Sequence, residues 1–373
     1  MGVTVEPVIT RQGREVFIRF PWRIYEDDPR WTPPLLADQR KFLDPEKNPF
    51  FEHADVSLFL ALDGGGQPVG RIALTVDRAH NEFHSEQAGF FGFFEFVDDP
   101  RVGRSLLDHA RQWFQEKGLT KIIGPMNLST NHECGLLVEG FDQPSMLGIP
   151  YNPPRYQEVL ESWGLAKAKD LLSLYLFPNV VPEYLNRAMA RIEKRKRFTL
   201  RSFRMGRFQE ELEILWDIYN TAWERNWGFV PMTQKEFHFA AEEMKSIVLP
   251  ELSFIAEVEG KAVGFSLTLP NINPLLKKMN GRLLPLGWLH FLRGKKNISS
   301  FRVITLGIKK PYRRMGIDVA FYHATYKRLT KIDALLVEMS WILEDNIPML
   351  EPIRRIGGTE YKRHRIYERN LND

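Results

Sequence analysis

Residues 301–322 read FRVITLGIKKPYRRMGIDVAFY, and the order of residue types limits what this stretch can build. An apolar, β-branched run ends at Ile308. Four cations (Lys309, Lys310, Arg313, Arg314) then crowd around Pro311, and an apolar helix begins at Gly316. The first N–H groups of a helix have no partner within it, and with the helix dipole they form an anion site. Glycine at that point lets the backbone come close to an anion. Strand, basic glycine turn and helix together suit a diphosphate; the alternative is a plain basic connection.

Around this stretch one order of elements is expected twice, from periodicity and turn signals. The first half predicts a strand at 3–9, a helix at 11–25, and paired strands at 55–62 and 69–76 around DGGGQP. An aromatic strand at 90–97 follows, then a helix at 100–117 with Asp99 as its cap and Pro100 in its first turn. A strand at 121–124, a helix at 154–163 and a strand at 170–177 complete it. The second half predicts a strand at 198–204, helices at 208–226 and 234–248, and paired strands at 252–259 and 262–269 around EGKA. A strand at 301–308, helix at 316–329, strand at 334–339, helix at 347–355 and strand at 365–369 close the chain. Shifting by 194 places Asn152 on Asn346, Pro154 on Pro348 and Gly164 on Gly358, as a duplication would.

A length of 373 residues suits two domains of roughly 150–200 residues each. Hydrophobic content of 43 % supports buried cores. The one cysteine, Cys134, excludes an intramolecular disulfide and fits a reducing compartment. The N-terminus has no apolar secretory segment, and no window of about 18 apolar residues occurs, so a cytoplasmic protein is expected. A net charge of +4 is too small to argue for nucleic acid. Its distribution says more: from Glu259 to Asp318 no acid intervenes, yet twelve Lys and Arg do. A second basic run, 187–207, reads as a solvated linking helix.

The turn RRMGID resembles the acyl-CoA-binding motif of the GNAT superfamily of N-acyltransferases, with Arg313 first, Gly316 as central glycine and Asp318 in place of a small residue. DNIPMLEPIRRIGG resembles the superfamily's following helix, headed by Asn346 and ended by Gly357 and Gly358. The resemblance covers nearly the whole chain and implies an α/β (α+β) protein of two tandem GNAT-like domains. Each would be a mixed, mostly antiparallel twisted sheet flanked by helices. The boundaries expected are 1–180, a linking helix at 181–197, and 198–373 with an insertion at 272–300. Acyl-CoA is then the implied co-substrate, held by Leu306, Gly307, Ile308, Arg313, Arg314, Met315, Gly316, Ile317, Asp318 and Asn346, with no metal. In the first half, VDDPRVGRS puts Asp98 and Asp99 where a diphosphate would sit, so that half is expected to hold no CoA.

The implied reaction is attack of an amine on a thioester, needing a base and oxyanion donors, expected near Thr305–Ile308. The superfamily's usual tyrosine acid is missing, its place being Ile353. Three candidates for the base stand: Glu338 on the strand after the CoA helix, Glu224 in YNTAWERNWGFVPMT, and His132 with Glu133 in the long polar loop GPMNLSTNHECGLL. Asn127, Ser129 and Asn131 join that loop as a lining, and Asn226, Trp227 and Trp341 complete the expected acceptor contacts. Both longer stretches are similar to a narrower bacterial group of two-GNAT proteins that includes ceramide synthases, which implies the amine of a long-chain base as acceptor. The insertion alternates leucines and Trp288 with Lys277, Lys278, Arg282, Arg293, Lys295 and Lys296, a composition suited to a membrane interface over 275–296 or to a lid. Such a contact would place the protein on the inner face of the membrane. Two other readings remain: a nucleic-acid-binding or regulatory protein, and a transferase using aminoacyl-tRNA on a tandem GNAT fold.

Overall fold

The computed structural model describes residues 2–284 and 287–372. The chain divides into two compact units, Met1–Leu171 with Pro274–His290 and Lys362–Asp373, and Leu172–Asn273 with Phe291–Tyr361.

The first unit begins with β1 (Thr4–Pro7), α1 (Arg11–Ile24), α2 (Leu36–Phe42), β2 (Ala54–Leu62), β3 (Pro68–Asp77), α3 (Arg78–His84) and β4 (Ala88–Phe96). It continues through α4 (Pro100–Glu116), β5 (Lys121–Gly124), β6 (Leu136–Glu139), α5 (Arg155–Ser162) and β7 (Ala166–Leu176), whose last residues count with the second unit. Asp99 caps α4 by accepting the Arg101 N–H at 2.9 Å, with Pro100 in the first turn as expected. Val102, Leu106, Ala110 and Phe114 recur at helical spacing and pack on Phe91, Phe94 and Phe96. The β2–β3 hairpin is registered from Ala54↔Asp77 to Leu62↔Pro68, its turn held by Asp63, which accepts from Gly65 and Gln67.

The second unit carries α6 (Glu183–Arg195), β8 (Thr199–Ser202), α7 (Phe208–Ala222), α8 (Gln234–Met244), β9 (Ser253–Val258), β10 (Lys261–Pro270), α9 (Asn273–Met279) and α10 (Gly287–Gly294). Then come β11 (Ser300–Ile308), α11 (Ile317–Lys331), β12 (Leu336–Leu343), α12 (Ile347–Arg355) and β13 (Thr359–Asn370). Residues 274–290, which include most of α9 and the start of α10, pack with the first unit. The Trp22 indole donates to Asn280 Oδ1 at 2.7 Å, and Lys277 Nζ donates to the Pro29 carbonyl. Pro285 and Leu286 of the insertion fall outside the described residues.

In the first unit the strand order is β1-β2-β3-β4-β5-β13, with β6 also on β13; in the second it is β7-β12-β11-β10-β9-β8. The β4–β5 and β11–β12 ladders are parallel, whereas β1–β2, β2–β3, β3–β4, β5–β13, β6–β13, β8–β9, β9–β10 and β10–β11 are antiparallel. Leu172, Leu174, Phe301, Val303, Val337 and Met339 bury one face of the second sheet against Tyr322, Tyr326 and Leu329 of α11 and Leu350 and Ile353 of α12. The twofold order of mixed, mostly antiparallel sheets flanked by helices is as expected. Helices α2 and α3 and strand β6 were not anticipated, and β13 is longer than its predicted 365–369.

Candidate active site

Strands β11 and β12 pair for only four rungs, Ser300↔Leu336 to Val303↔Met339, although β11 runs on to Ile308 and β12 to Leu343. A bulge at Ile304 breaks the register with β10 at this point. Ile304, Thr305 and Leu306 are half-buried between fully buried neighbours, and the Thr305 hydroxyl is buried with no hydrogen-bond partner. The two strands thus stop sharing hydrogen bonds beside a turn that leads into α11.

Gly316 stands at the N-cap of α11 with φ +84° and supplies no side chain to cap it. Ile317 behind it is fully buried with Phe321 and Ile308, fixing the helix start. Lys310 and Arg314 are exposed, whereas Met315 is half-buried. Arg313 braces the turn, its Nε donating to the Ile308 carbonyl at 3.1 Å and its Nη2 to that of Ala222. Lys309 is paired with Asp217 of α7. Gly307 is flat against Trp223, whose ring would lie 2.3 Å from any Cβ there. Asp318 sits in the first turn, and burial raises its pKa although the backbone N–H groups of Val319 and Asp318 lower it in part. These groups suit a diphosphate, with Asp318 as a competing anion.

On the next strand Glu338 has no exposed surface. Phe301, Val303, Val337 and Met339 face α11 and α12, so Arg302 and Glu338 between them face the other side of the sheet. There the Arg302 Nε lies 3.6 Å from Glu338 Oε1 and donates to Ser340 Oγ at 2.9 Å. Ser340 and Tyr361 each donate a hydroxyl hydrogen bond to the Glu338 carboxylate. Burial, and then the Glu338 charge, push the Tyr361 phenol far above its ordinary pKa, so it stays protonated. Trp341 carries the Arg302 guanidinium 5.3 Å from its ring centre. Ile353 is fully buried in the core, and Asn346 caps α12 without a side-chain bond. Sequence reasoning named Glu338 and Trp341 but missed Arg302, Ser340 and Tyr361. The signal was an arginine inside the apolar run FRVIT, opposite the acid of VEMSW.

Glu224 is exposed in the turn after α7, with Asn226 and Trp227 half-buried beside it. Asn220 pins the end of that loop by accepting the Met232 N–H and donating to the Met232 carbonyl, both at 3.0 Å.

In the first unit Ser129 Oγ and His132 Nδ1 are 2.9 Å apart, and the His132 ring packs edge-on against Phe42 and Phe50. Asn131 N donates to Ser129 Oγ, and Asn127 Nδ2 donates to the exposed Glu133. Asn127 also accepts the Phe93 N–H at 2.8 Å. Counted from the first parallel rung, Ala88 on β4 and Ser300 on β11, Phe93 corresponds to Thr305. The third rung is Phe90↔Ile123 here and Arg302↔Glu338 in the second unit. At that rung the first unit has two apolar residues instead of the charge pair, its strand N–H is taken by its own loop, and a donor at its helix start is capped by Asp99. Among the described residues no cluster of three or more His, Cys, Asp or Glu could hold a metal ion.

No family model matches the chain. It is 36 % identical to Protein YghO of Escherichia coli (strain K12), an alignment covering 98 % of this chain and 95 % of that protein. It is also 36 % identical to the bacterial ceramide synthase of Caulobacter vibrioides (strain NA1000 / CB15N), covering 99 % and 98 %. Among solved structures it resembles a tandem GNAT protein from the clavulanic acid biosynthesis pathway, with a TM-score of 0.58 at 13 % identity and 99 % of each chain covered. A GCN5-related N-acetyltransferase from Sphaerobacter thermophilus gives a TM-score of 0.54 at 13 % identity, covering 99 % of this chain and 96 % of that one.

Proposed function

Because the chain belongs to the family of tandem GNAT proteins that contains YghO and the bacterial ceramide synthase, we propose that it is an N-acyltransferase using acyl-CoA as donor and a long-chain amine as acceptor. The observation that carries the donor assignment is the parting of β11 from β12 beside a helix headed by bare Gly316. The thioester would lie along β11 at Thr305, and the diphosphate at the start of α11 between Lys310 and Arg314. The first unit holds no donor in this reading, for the three reasons given by Phe90, Asn127 and Asp99. The acceptor assignment is supported by the likeness to the ceramide synthase.

The amine nitrogen attacks the thioester carbon, the C–S bond breaks, and the thiolate leaves while the ammonium loses a proton. We assign that proton to Glu338. Its carboxylate has no exposed surface, so Tyr361, which is only half-buried, passes the proton inward by taking it at the hydroxyl and giving its own to Glu338. Backbone N–H groups of the Thr305–Ile308 segment face the developing oxyanion. Glu224 would then contact the acceptor, as would Asn226, Trp227 and Trp341.

Release of CoA thiol on mixing acyl-CoA with a long-chain base tests this directly. Acyl-CoA should also raise the melting temperature, an effect lost in Lys310→Glu/Arg314→Glu. No thermal shift with any ester from acetyl- to stearoyl-CoA would overturn the donor assignment. Acyl transfer from charged tRNA without thiol release would favour the tRNA-dependent reading instead.

A further inference from the structure

Among the described residues, four of the eleven exposed large hydrophobic side chains fall within ten positions: Leu283 (44 % exposed), Leu284 (71 %), Trp288 (43 %) and Leu292 (58 %). Described residues around them are seated. Met279 is buried at the end of α9, Gly287 lies against it, and Gly281 fits under Trp22 so closely that a Cβ would be 2.6 Å from the ring. Trp288 N donates to the Leu283 carbonyl at 2.8 Å, tying the leucine turn to the first turn of α10. Trp288 and Leu292 are one helical turn apart and share a face of that helix. Leu283, Leu284 and Leu292 thus leave about half or more of their surface to solvent.

Exposed cations flank them. Lys278 and Arg282 precede the apolar cluster and Arg293 follows it, while Lys277 is already bonded to Pro29. No acid lies anywhere between Glu259 and Asp318. An exposed apolar cluster flanked along its own segment only by cations matches an anionic bilayer. Leucines and an indole enter the headgroup region, and lysine and arginine meet the lipid phosphates.

We propose that the surface formed by Lys278, Arg282, Leu283, Leu284 and Trp288 docks the protein on anionic membranes, in the interface plane and without spanning it. No helix among the described residues is long and apolar enough to cross. The proposal is independent of the donor assignment and supplies a route by which a lipid amine would reach the enzyme.

The test is sedimentation of the intact protein with vesicles of phosphatidylcholine alone or mixed with phosphatidylglycerol. The protein should pellet with the mixed vesicles only, and high salt should release it. Leu284→Asp/Trp288→Asp should abolish binding, and Lys278→Glu/Arg282→Glu should weaken it by roughly fivefold per charge removed. The second pair alters exposed side chains only, so it decides the matter if the first pair lowers the melting temperature. Equal binding to neutral vesicles, no binding to either, or binding unchanged in both variants would overturn the proposal. So would a fall in molar mass by light scattering in Leu284→Asp/Trp288→Asp, which would make the patch a contact between copies. Thiol release with a water-soluble amine reads the chemistry separately and should be unchanged in both variants.

Discussion

Arg302 and Glu338 occupy the same rung of the β11–β12 ladder, guanidinium 3.6 Å from carboxylate, with 4 % and 0 % of their side chains exposed. Two charges without water are tolerable only because Ser340 and Tyr361 complete the bonding of the acid. Removing one partner strands the other. Arg302→Met should therefore cost about 3–5 kcal/mol in urea unfolding. Glu338→Gln keeps its oxygen acceptor and should cost less. The double change Arg302→Met/Glu338→Leu should recover most of the stability yet remain inactive. In turnover assays Glu338→Gln should lower kcat by about 10²-fold, the lower end for a general base. A stable Glu338→Gln protein with full kcat would exclude the assigned role.

Gly316 is held at φ +84°, a conformation that costs other residues about 1–2 kcal/mol. A Cβ would in addition lie 2.7 Å from Ile192 Cδ1 on α6. Gly316→Ala should lower stability by about that conformational cost and weaken acyl-CoA binding. Adding Ile192→Ala should relieve the contact but restore neither the backbone strain nor the affinity. Calorimetric titration of both variants with CoA separates these effects.

What the sequence revealed follows the range of the forces involved. The glycine turn, the Asp99 cap and the paired strands around EGKA are local: Glu259 and Gly260 both adopt positive φ, as a tight hairpin turn of that residue type does. Strand β13 was only partly visible, because TEYKRHRIYERN reads as a charged surface run. Arg363 and Arg365 pair with Asp170, 193 and 195 residues earlier, and no local pattern announces such a partner. Separation in the chain also hid the cluster around Glu338. Glu338 was visible as an acid in an apolar strand, but Arg302 and Tyr361 become its neighbours only through the sheet. The short helices α2 and α3 take their stability from packing rather than from length.

Asp170 offers a pH test with a defined sign. Burial pushes its carboxyl up, but the bonds from Arg365, Arg363 and Lys167 outweigh this and hold the pKa at about 2. A lowered acid pKa stabilises the fold above the unfolded value of 3.8, and that contribution is lost as pH falls towards 2. Asp170→Asn should therefore be less stable than the natural protein by about 2 kcal/mol at pH 7. The two should converge as the pH approaches 2. A difference that does not vary with pH would mean that packing, not charge, explains the loss.

Asp318 works in the opposite sense at the start of α11. Burial raises its pKa despite the backbone N–H groups of Asp318 and Val319. The folded state therefore holds that proton more tightly than the unfolded chain, and stability falls as pH rises through the folded value. Asp318→Asn should be more stable than the natural protein at neutral pH, with the advantage gone below about pH 3.8, the ordinary aspartate value. The same substitution removes an anion from the place assigned to the diphosphate. One charge at about 4 Å in water amounts to roughly 1 kcal/mol, or about fivefold in affinity. Titration with CoA at pH 7 should accordingly show tighter binding to Asp318→Asn, most clearly at low salt. Equal or weaker binding would place the phosphates elsewhere, because an aspartate beside a diphosphate repels it.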